Sequence, residues 1–314
     1  HHEAHASLAF TNSGFESALI AVIDRQGSDV NGNMREAETI FKADLDYNFE
    51  PIYKSYWAYN IGEKFDLNIY NDIETLKKHW PDCEIVCEST LGITKVYETA
   101  TTLIGQHSLE NGKVMGLAAY GADQEFKDLF ANGIPNTNLV MHLGGDDNVP
   151  ILKEYMPHRI AERAPLPKEG YELYADYSYQ VQKQTQDEVL KLIKEKVEET
   201  GITNVCVTGG YGLNVVANEH LVKNLPNVNF YFEPLADDSG NSIGAALQVY
   251  RQETKDKNIY PLKHTFFNHI KHPIDVDGIK TTVENIAKLL DQQKIVAIYN
   301  GVAEGGPRAL GNRS

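Results

Sequence analysis

Two consecutive strand–loop–helix units in the last third of the chain constrain the fold more than any other feature. Each unit has a β-rich run, a loop with glycine, and a helical pattern. In order these are 204–207, 208–210 and 213–224, then 228–232, 234–240 and 242–250. Successive units of this kind place their strands in one sheet with helices packed on its faces. The sequence therefore predicts an α/β core.

Other segments carry clear signals of secondary structure. The continuous apolar run Ala18–Asp24, closed by Gly27, predicts a buried strand. Residues Tyr171–Thr200 contain neither proline nor glycine and predict one long helix ended by Gly201. Further predictions are helices over 90–104 and 283–290 and a strand over 295–299. Residues 28–88 give only a weak signal and support no prediction.

Length and composition set the domain organisation. The 314 residues are 42% hydrophobic, enough for one large or two smaller domains. A polar, lysine-bearing stretch predicts a linker, so we expect a first domain over 1–255, a linker over 256–272 and the beginning of a second domain over 273–314. The chain opens on His1 without a methionine and stops after a glycine-rich run. We expect both ends to be truncations.

Charge and cysteine content exclude several classes of protein. A net charge of -15 and a pI near 5.2 argue against a nucleic-acid partner, because phosphates would be repelled without a basic patch. Three cysteines without a C-x-x-C motif favour neither a disulfide framework nor a zinc ribbon, so a reducing cytoplasm is expected. No apolar run approaches the roughly 18 residues that would predict a membrane span.

Histidines and acidic residues suggest a metal site. In a helix, His1 and His5 would lie four residues apart on one face, as in paired histidine ligands, although leading histidines also occur as tag remnants. Asp238 follows a predicted strand and precedes a helix, which is a common ligand position in α/β sheets. Two histidines and one carboxylate favour Fe(II), with Mn or Zn as alternatives. An Asx-turn that caps the next helix would equally explain Asp238.

Two glycine-rich segments suggest phosphate or anion binding. Gly209 and Gly210 would let backbone N–H groups approach phosphates, with Asn214 as a hydrogen-bonding partner, although a plain tight turn has the same pattern. Arg308 and Arg313 lie in a glycine-rich run at the end of the chain and suit a planar or phosphate-bearing anion. An exposed loop is the alternative for that run.

Taken together and in order, five motifs resemble the NodU/CmcH family of O-carbamoyltransferases. They are H-H-x-x-H-A, G-K-x-M-G-L-A-x-Y-G, G-G-x-x-x-N, D-x-G-x-x-x-G-A-A and E-x-G-P-R-A-L-G-N-R-S. Here they stand at 1–6, 112–121, 209–214, 238–246 and 304–314. The resemblance thus spans nearly the whole chain.

The resemblance implies a fold and a reaction. The fold would be an actin-like (ribonuclease H-like) ATPase fold, incomplete at its N-terminus, followed by the start of a YrdC-like α/β domain. The YrdC-like domain would form carbamoyl adenylate from carbamoyl phosphate and ATP with Mg, and the larger domain would transfer the carbamoyl group to a hydroxylated small molecule. Because parts of both domains would be missing, we expect this chain alone to be inactive or to lack the adenylation step.

The resemblance also implies roles for individual residues. By position, His1, His5 and Asp238 match the family's metal ligands. Cofactor or substrate contacts would come from the other motifs, at Lys113, Gly209, Gly210, Asn214, Gly240, Arg308 and Arg313.

His2 is a candidate general base for attack by the hydroxyl, with orientation or packing as the alternative. A non-catalytic nucleotide-binding or metal-binding remnant, or a threonylcarbamoyl-type tRNA-modifying enzyme, would be a different function for the same fold.

Overall fold

The structure is a computed structural model that describes residues 1–58, 67–89, 92–104, 106–107, 109–123, 128–131, 134–135, 171–268, 278–298 and 303–306. The chain forms two compact units, His1–Pro261 and Leu262–Ser314. The division between them falls inside the stretch assigned to the linker from sequence. Among the helices in these ranges, none is both long and apolar enough to cross a membrane.

The first unit holds most of the regular structure. Its helices are α1 His2–Ser13, α2 Leu67–His79, α3 Ile93–Leu103, α4 Asn111–Ala118, α5 Tyr171–Thr200, α6 Val215–Asn224 and α7 Asn241–Thr254. Its strands are β1 Ser17–Ile23, β2 Asp29–Val30, β3 Met34–Asp44, β4 Glu50–Ala58, β5 Glu84–Ser89, β6 Phe130–Ala131, β7 Ile134–Pro135, β8 Asn204–Thr208 and β9 Asn229–Phe232. The second unit contains β10 Phe266–Asn268, α8 Val283–Asp291 and β11 Ala303–Glu304.

One mixed sheet organises the first unit. Its strands run in the order β5-β4-β3-β1-β8-β9, with β2 paired to β3. Strands β1, β8 and β9 are parallel neighbours, whereas β3 is antiparallel to both β1 and β4. The predicted α/β class is confirmed at this level, as a mixed α/β fold built on a sheet.

Strand β1 lies at the centre of the core because both of its faces are covered. Leu19, Ala21 and Ile23 face the layer formed by α3 and α5, and the alternate residues Ala18, Ile20 and Val22 face α1. Side chains alternate across a strand, so a continuous apolar run is what a strand with two buried faces requires. Burying each large aliphatic side chain contributes about 1.5–3 kcal/mol.

Most of the predicted elements are confirmed within a few residues. They are the strands predicted at 18–24, 204–207 and 228–232 and the helices predicted at 90–104, 171–200, 242–250 and 283–290.

Two predictions differ from the structure. The helix predicted from Leu213 begins at Val215, because a 3₁₀ turn over Gly210–Leu213 comes first and Asn214 caps the helix. Residues 295–298 form no strand, and residue 299 lies outside the described ranges. Helix α7 ends at Thr254, before the predicted linker over 256–272 begins.

Buried charges explain why residues 28–88 gave no signal. Glu36 and Glu38 of β3 and Lys54 of β4 are all buried, so the alternation of polar and apolar residues that marks a half-exposed strand is absent. Lys54 forms an ion pair with Glu36 and lies 4.9 Å from the ring centroid of Trp80. The charge of Lys54 is thus paired with that of Glu36, as burial demands.

Glu38 is fully buried beneath the start of α3. Its carboxylate accepts hydrogen bonds from the Ile93 amide, at 2.6 Å, and from the Ser55 hydroxyl. Burial nevertheless raises the pKa of Glu38 to about 7, because desolvation outweighs these hydrogen bonds.

Helices α1 and α7 pack with their backbones in contact. A Cβ atom at Gly244 would lie 2.0 Å from the carbonyl oxygen of Ala4 and 3.1 Å from Cβ of Leu8. Only glycine permits helices to approach this closely. The contact holds the start of α7 against the first turns of α1.

We predict that Gly244→Ala destabilises the chain by about 2 kcal/mol or more, since the added methyl group collides with backbone that cannot rotate away. Gly116 is the matched control, because it is also helical and a Cβ there would meet nothing within 4 Å. Gly116→Ala should stabilise by about 0.5–1 kcal/mol through helix propensity. Denaturant unfolding of both variants measures the difference, and equal effects would contradict the proposed contact.

We also predict that Glu38 makes stability depend on pH. Its pKa is about 7 when folded against 4.5 ordinarily, so the folded chain binds more protons and stability falls as pH rises from about 4.5 to 7. The full difference corresponds to about 3 kcal/mol. In Glu38→Gln this part of the pH dependence should vanish in unfolding measured from pH 4.5 to 8. Glu50→Gln, at an exposed position of β4, should retain the wild-type slope.

Candidate metal centre

Helix α1 brings the two predicted histidine ligands together. His1 and His5 lie one turn apart, with ring centroids separated by 4.9 Å. His5 is fully buried, whereas the His1 side chain is partly exposed. Their Nε2 atoms face the same space, as the i, i+4 spacing predicts.

Two carboxylates complete the cluster. Asp24 Oδ2 lies 3.1 Å from His1 Nε2 and 3.9 Å from His5 Nε2. Asp238 Oδ1 lies 3.2 Å and 3.5 Å from the same two nitrogens. One donor atom from each of the four residues lies within 4.8 Å of the others. The predicted trio is therefore brought together, and a fourth residue joins it.

The order of the strands explains the convergence. Asp24 follows β1, the Gly209–Gly210 turn follows β8, and Asp238 lies beyond β9. Because these three strands are parallel neighbours, their carboxyl ends meet at one edge of the sheet, where ligands bind in open α/β sheets. Helix α1 covers that edge with its histidines.

The Gly209–Gly210 turn holds the Asp24 carboxylate in position. Gly209 has φ +83°, and a Cβ there would lie 2.4 Å from the carbonyl oxygen of Ile23, so this position needs glycine. The amide of Gly210 donates a hydrogen bond of 3.1 Å to Asp24 Oδ1. That leaves Oδ2 directed at the histidines.

The electrostatics favour the protonation state of a metal ligand at Asp24 and His5 and oppose it at His1, whose charged form is stabilised. Although burial acts to raise it, the pKa of Asp24 is held well below its ordinary value by the hydrogen bond from His1 and the nearby His5. The hydrogen bond to Asp24 raises the pKa of His1, while burial lowers the pKa of His5. An ionised Asp24 and a neutral His5 are ready to coordinate a cation.

The donor set fits a divalent transition metal. Two imidazole nitrogens and two carboxylate oxygens suit Fe(II), Mn(II) and Zn(II), in contrast to the all-oxygen sites of Mg and Ca. The cluster is partly solvent-accessible, because the Asp238 side chain is 76% exposed. A metal held here could therefore also contact a substrate.

Asp24 is the member of the cluster that the sequence analysis missed. It closes the apolar run that predicted β1 and was treated only as the end of that strand. A usable signal was present, because a carboxylate directly after a buried strand is the same pattern that marked Asp238. The Gly210 amide that holds the Asp24 carboxylate is 186 residues further along the chain, and this pairing could not be identified from sequence.

Asn214 and Gly240 have structural roles in the segments that follow β8 and β9, and their predicted contacts with nucleotide remain predictions. The Asn214 side chain is buried, caps α6 by accepting from the Ala217 amide at 3.1 Å, and donates to Gln182 at 3.0 Å. Gly240 is buried, and a Cβ there would lie 2.3 Å from the Leu235 carbonyl oxygen. Both shape the loops around the cluster.

The remaining predicted residues do not join the cluster. Lys113 lies exposed on α4, and its ammonium group bonds to Glu110 and, at 3.0 Å, to Gln106. Arg308 and Arg313 lie outside the described residues. Their predicted contacts with nucleotide or anion remain predictions.

His2 lies on a different face of α1 from the metal-site histidines. It is 1% exposed, its Nδ1 is 2.7 Å from the Thr39 hydroxyl, and burial lowers its pKa to about 4. A Cβ at Gly27 would lie 2.5 Å from its Nε2, so the ring is covered on that side too. This environment suits the packing or orienting role better than that of a base exchanging protons with a substrate.

The chain matches the family model described as "Carbamoyltransferase N-terminus" over residues 1–247. It is 27% identical to an uncharacterized protein, sll1178, of Synechocystis sp., over all of this chain and 49% of that protein. It is 23% identical to the nodulation protein NolO of Bradyrhizobium diazoefficiens, again over the whole chain and over 52% of that protein. The chain thus spans about half the length of these curated relatives.

Among solved structures, full-length HypF in its phosphate- and nucleotide-bound form superposes on 80% of this chain and 42% of its own. The TM-score is 0.46 and the sequence identity is 17%.

We predict that Asp24→Asn weakens binding of Mn(II) at least ~100-fold, because it replaces a charged carboxylate ligand by a neutral amide and leaves Asp238 as the one carboxylate of the cluster. Calorimetric titration of the purified chain measures this. Asp237→Asn is the control, since Asp237 is the acidic neighbour of Asp238 but stands outside the cluster. Equal affinity in the two variants would mean that Asp24 is not a ligand.

Proposed function

We propose, because this chain belongs to the family of the carbamoyltransferase N-terminus, that it carries the transfer site of an O-carbamoyltransferase acting on a hydroxylated small molecule. The observation that carries the proposal is the convergence of His1, His5, Asp24 and Asp238 at one edge of the sheet. The site combines buried, preoriented ligands with one exposed carboxylate, as a metal centre open to substrate requires.

The proposal includes the fold of each of the two units. We assign the first unit to an actin-like ATPase fold and the second to the beginning of a YrdC-like domain. The order of the five motifs along the chain supports this assignment. The carbamoyl donor would be carbamoyl phosphate, activated with ATP and Mg as carbamoyl adenylate.

The transfer step is a nucleophilic substitution at the carbamoyl carbon. The hydroxyl oxygen of the acceptor forms a bond to the carbamoyl carbon, and the bond from that carbon to the adenylate oxygen breaks. AMP leaves with the electron pair, and the hydroxyl proton passes to a base or to water. The barrier lies in the charge that develops on the carbonyl oxygen and on the leaving phosphate.

The cluster provides electrostatic stabilisation for that charge. A bound divalent metal, with Fe favoured over Zn or Mn, would supply Lewis acidity next to the reacting carbonyl. Asp24 is fixed for this role by the Gly210 amide, and His5 by its complete burial. Prepositioned groups of this kind need no reorganisation during the reaction.

We assign His2 an orienting role. Its Nδ1 bond to Thr39 of β3 ties the first turn of α1 to the sheet, directly beside His1. A rigid first turn keeps His1 within reach of Asp24. Thr39 and His2 therefore act on the site through the position of the backbone.

Two other functions would use the same cluster of histidines and carboxylates. A non-catalytic remnant would bind metal without turnover. A threonylcarbamoyl-type enzyme would act on tRNA, but a net charge of -15 disfavours a polyanionic partner.

We predict that metal-site substitutions in the full-length protein separate the two half-reactions. With [14C]carbamoyl phosphate, ATP and a panel of sugars and aminoglycosides, the wild type should release pyrophosphate and label a hydroxyl compound. Asp24→Asn should still release pyrophosphate but transfer the label at least ~100-fold more slowly, because it lacks the stabilisation of the transition state.

Two further variants, Asp237→Asn and His2→Ala, extend this test. Asp237→Asn should transfer at the wild-type rate, and His2→Ala should retain partial transfer if it orients α1 and lose nearly all if it is the base. Unimpaired transfer by Asp24→Asn would refute the proposed site. Stimulation of ATP consumption by tRNA, and not by the hydroxyl compounds, would favour the threonylcarbamoyl-type function.

A further inference from the structure

Asn241, the first residue of α7, points its side chain into the metal cluster. Its Nδ2 lies 3.1 Å from His5 Nε2, 3.4 Å from His1 Nε2 and 3.4 Å from Asp238 Oδ1. The amide group thus contacts three of the four ligand atoms. No motif in the sequence marked this residue, because it occupies an unspecified position of D-x-G-x-x-x-G-A-A.

The position of Asn241 is fixed by the helix contact. It lies three residues before Gly244, so both residues lie on the face of α7 that packs against α1. The backbone contact of Gly244 with Ala4 therefore sets the distance between the amide and the imidazoles of His1 and His5. Displacing Asn241 would require displacing the helix.

A bound cation would require the opposite orientation of the amide. Its N–H groups face imidazole nitrogens whose lone pairs would be used by a bound cation, so they would then point at positive charge. Its Oδ1 is buried and has no hydrogen-bond donor in the described part of the chain. A 180° rotation of the amide exchanges the oxygen for the nitrogen and preserves its shape. It gives up the contacts of Nδ2 with His5 and Asp238 and breaks no hydrogen bond to Oδ1.

We propose that Asn241 is a fifth protein ligand of the metal, through its amide oxygen. This inference rests on the proposed metal centre and adds a neutral oxygen to its two nitrogens and two carboxylates. Amide oxygens are hard ligands, and a fifth ligand disfavours the four-coordinate arrangement typical of structural zinc. Asn241 thus shifts the selectivity of the site from Zn(II) toward Mn(II) and Fe(II).

The test is titration with Mn(II), with the free ion followed by electron paramagnetic resonance. Asn241→Ala should weaken binding of Mn(II) about 10-fold or more, the range expected for groups that support a metal site. Asn241→Asp keeps an oxygen at the same place and removes the N–H groups, so it should bind at least as tightly as the wild type. Ser242→Ala, at the exposed neighbouring position, should leave the affinity unchanged.

The variants distinguish the possible roles of the side chain. Wild-type affinity in Asn241→Ala would overturn the inference, and so would an affinity of Asn241→Asp as weak as that of Asn241→Ala, because the N–H groups would then be the functional part. Competition with Zn(II) gives a second measurement, since Asn241→Ala should raise the ratio of bound Zn to bound Mn. Circular dichroism shows whether each variant remains folded.

The same titration separates this inference from the proposed metal centre. If Asp24→Asn loses Mn(II) while Asn241→Ala retains it fully, the centre stands and Asn241 is not a ligand. If the wild type binds neither Mn(II) nor Zn(II), both proposals are wrong.

Discussion

The backbone contact between α1 and α7 is the constraint on which the rest of the site depends. Without a side chain at Gly244, the carbonyl oxygen of Ala4 can reach the surface of α7. This single contact sets the separation between the histidines of one helix and Asn241 at the start of the other. Since packed helices do not deform continuously, the distances from Asn241 to His1 and His5 depend on the glycine at position 244.

A second constraint is the satisfaction of buried charge at the edge of the sheet. Asp24 is buried, and it remains ionised because the Gly210 amide donates a hydrogen bond to its Oδ1 and the His1 ring lies 3.1 Å from its Oδ2. The parallel order of β1, β8 and β9 makes these partners available. The same logic holds within β3 and β4, where Glu36 is paired with Lys54. Asp24, Glu36 and Lys54 are thus held by partners within the sheet or directly after its strands.

Sequence patterns predicted those elements whose structure is set by residues close together in the chain. The apolar run of β1 and the uninterrupted helix α5 were predicted closely, because propensity and burial act in the same direction there. Residues 28–88 gave no usable signal for the opposite reason, since the buried side chains of Glu36, Glu38 and Lys54 interrupt the expected alternation. The start of α6 was misplaced because a 3₁₀ turn and a helix share the same residue preferences, and only the cap at Asn214 separates them.

The sequence by itself determined the α/β class, the spacing that puts His1 and His5 on one helix face, and the candidate carboxylate Asp238. Only the tertiary structure decided that Asp24 and Asn241 join them and that the side chain of Asn214 is committed to capping α6. The physical reason is distance along the chain. Helical and strand periodicities act over a few residues, whereas the donor atoms of Asp24 and Asp238 meet through the pairing of β1, β8 and β9 and the contact of α1 with α7.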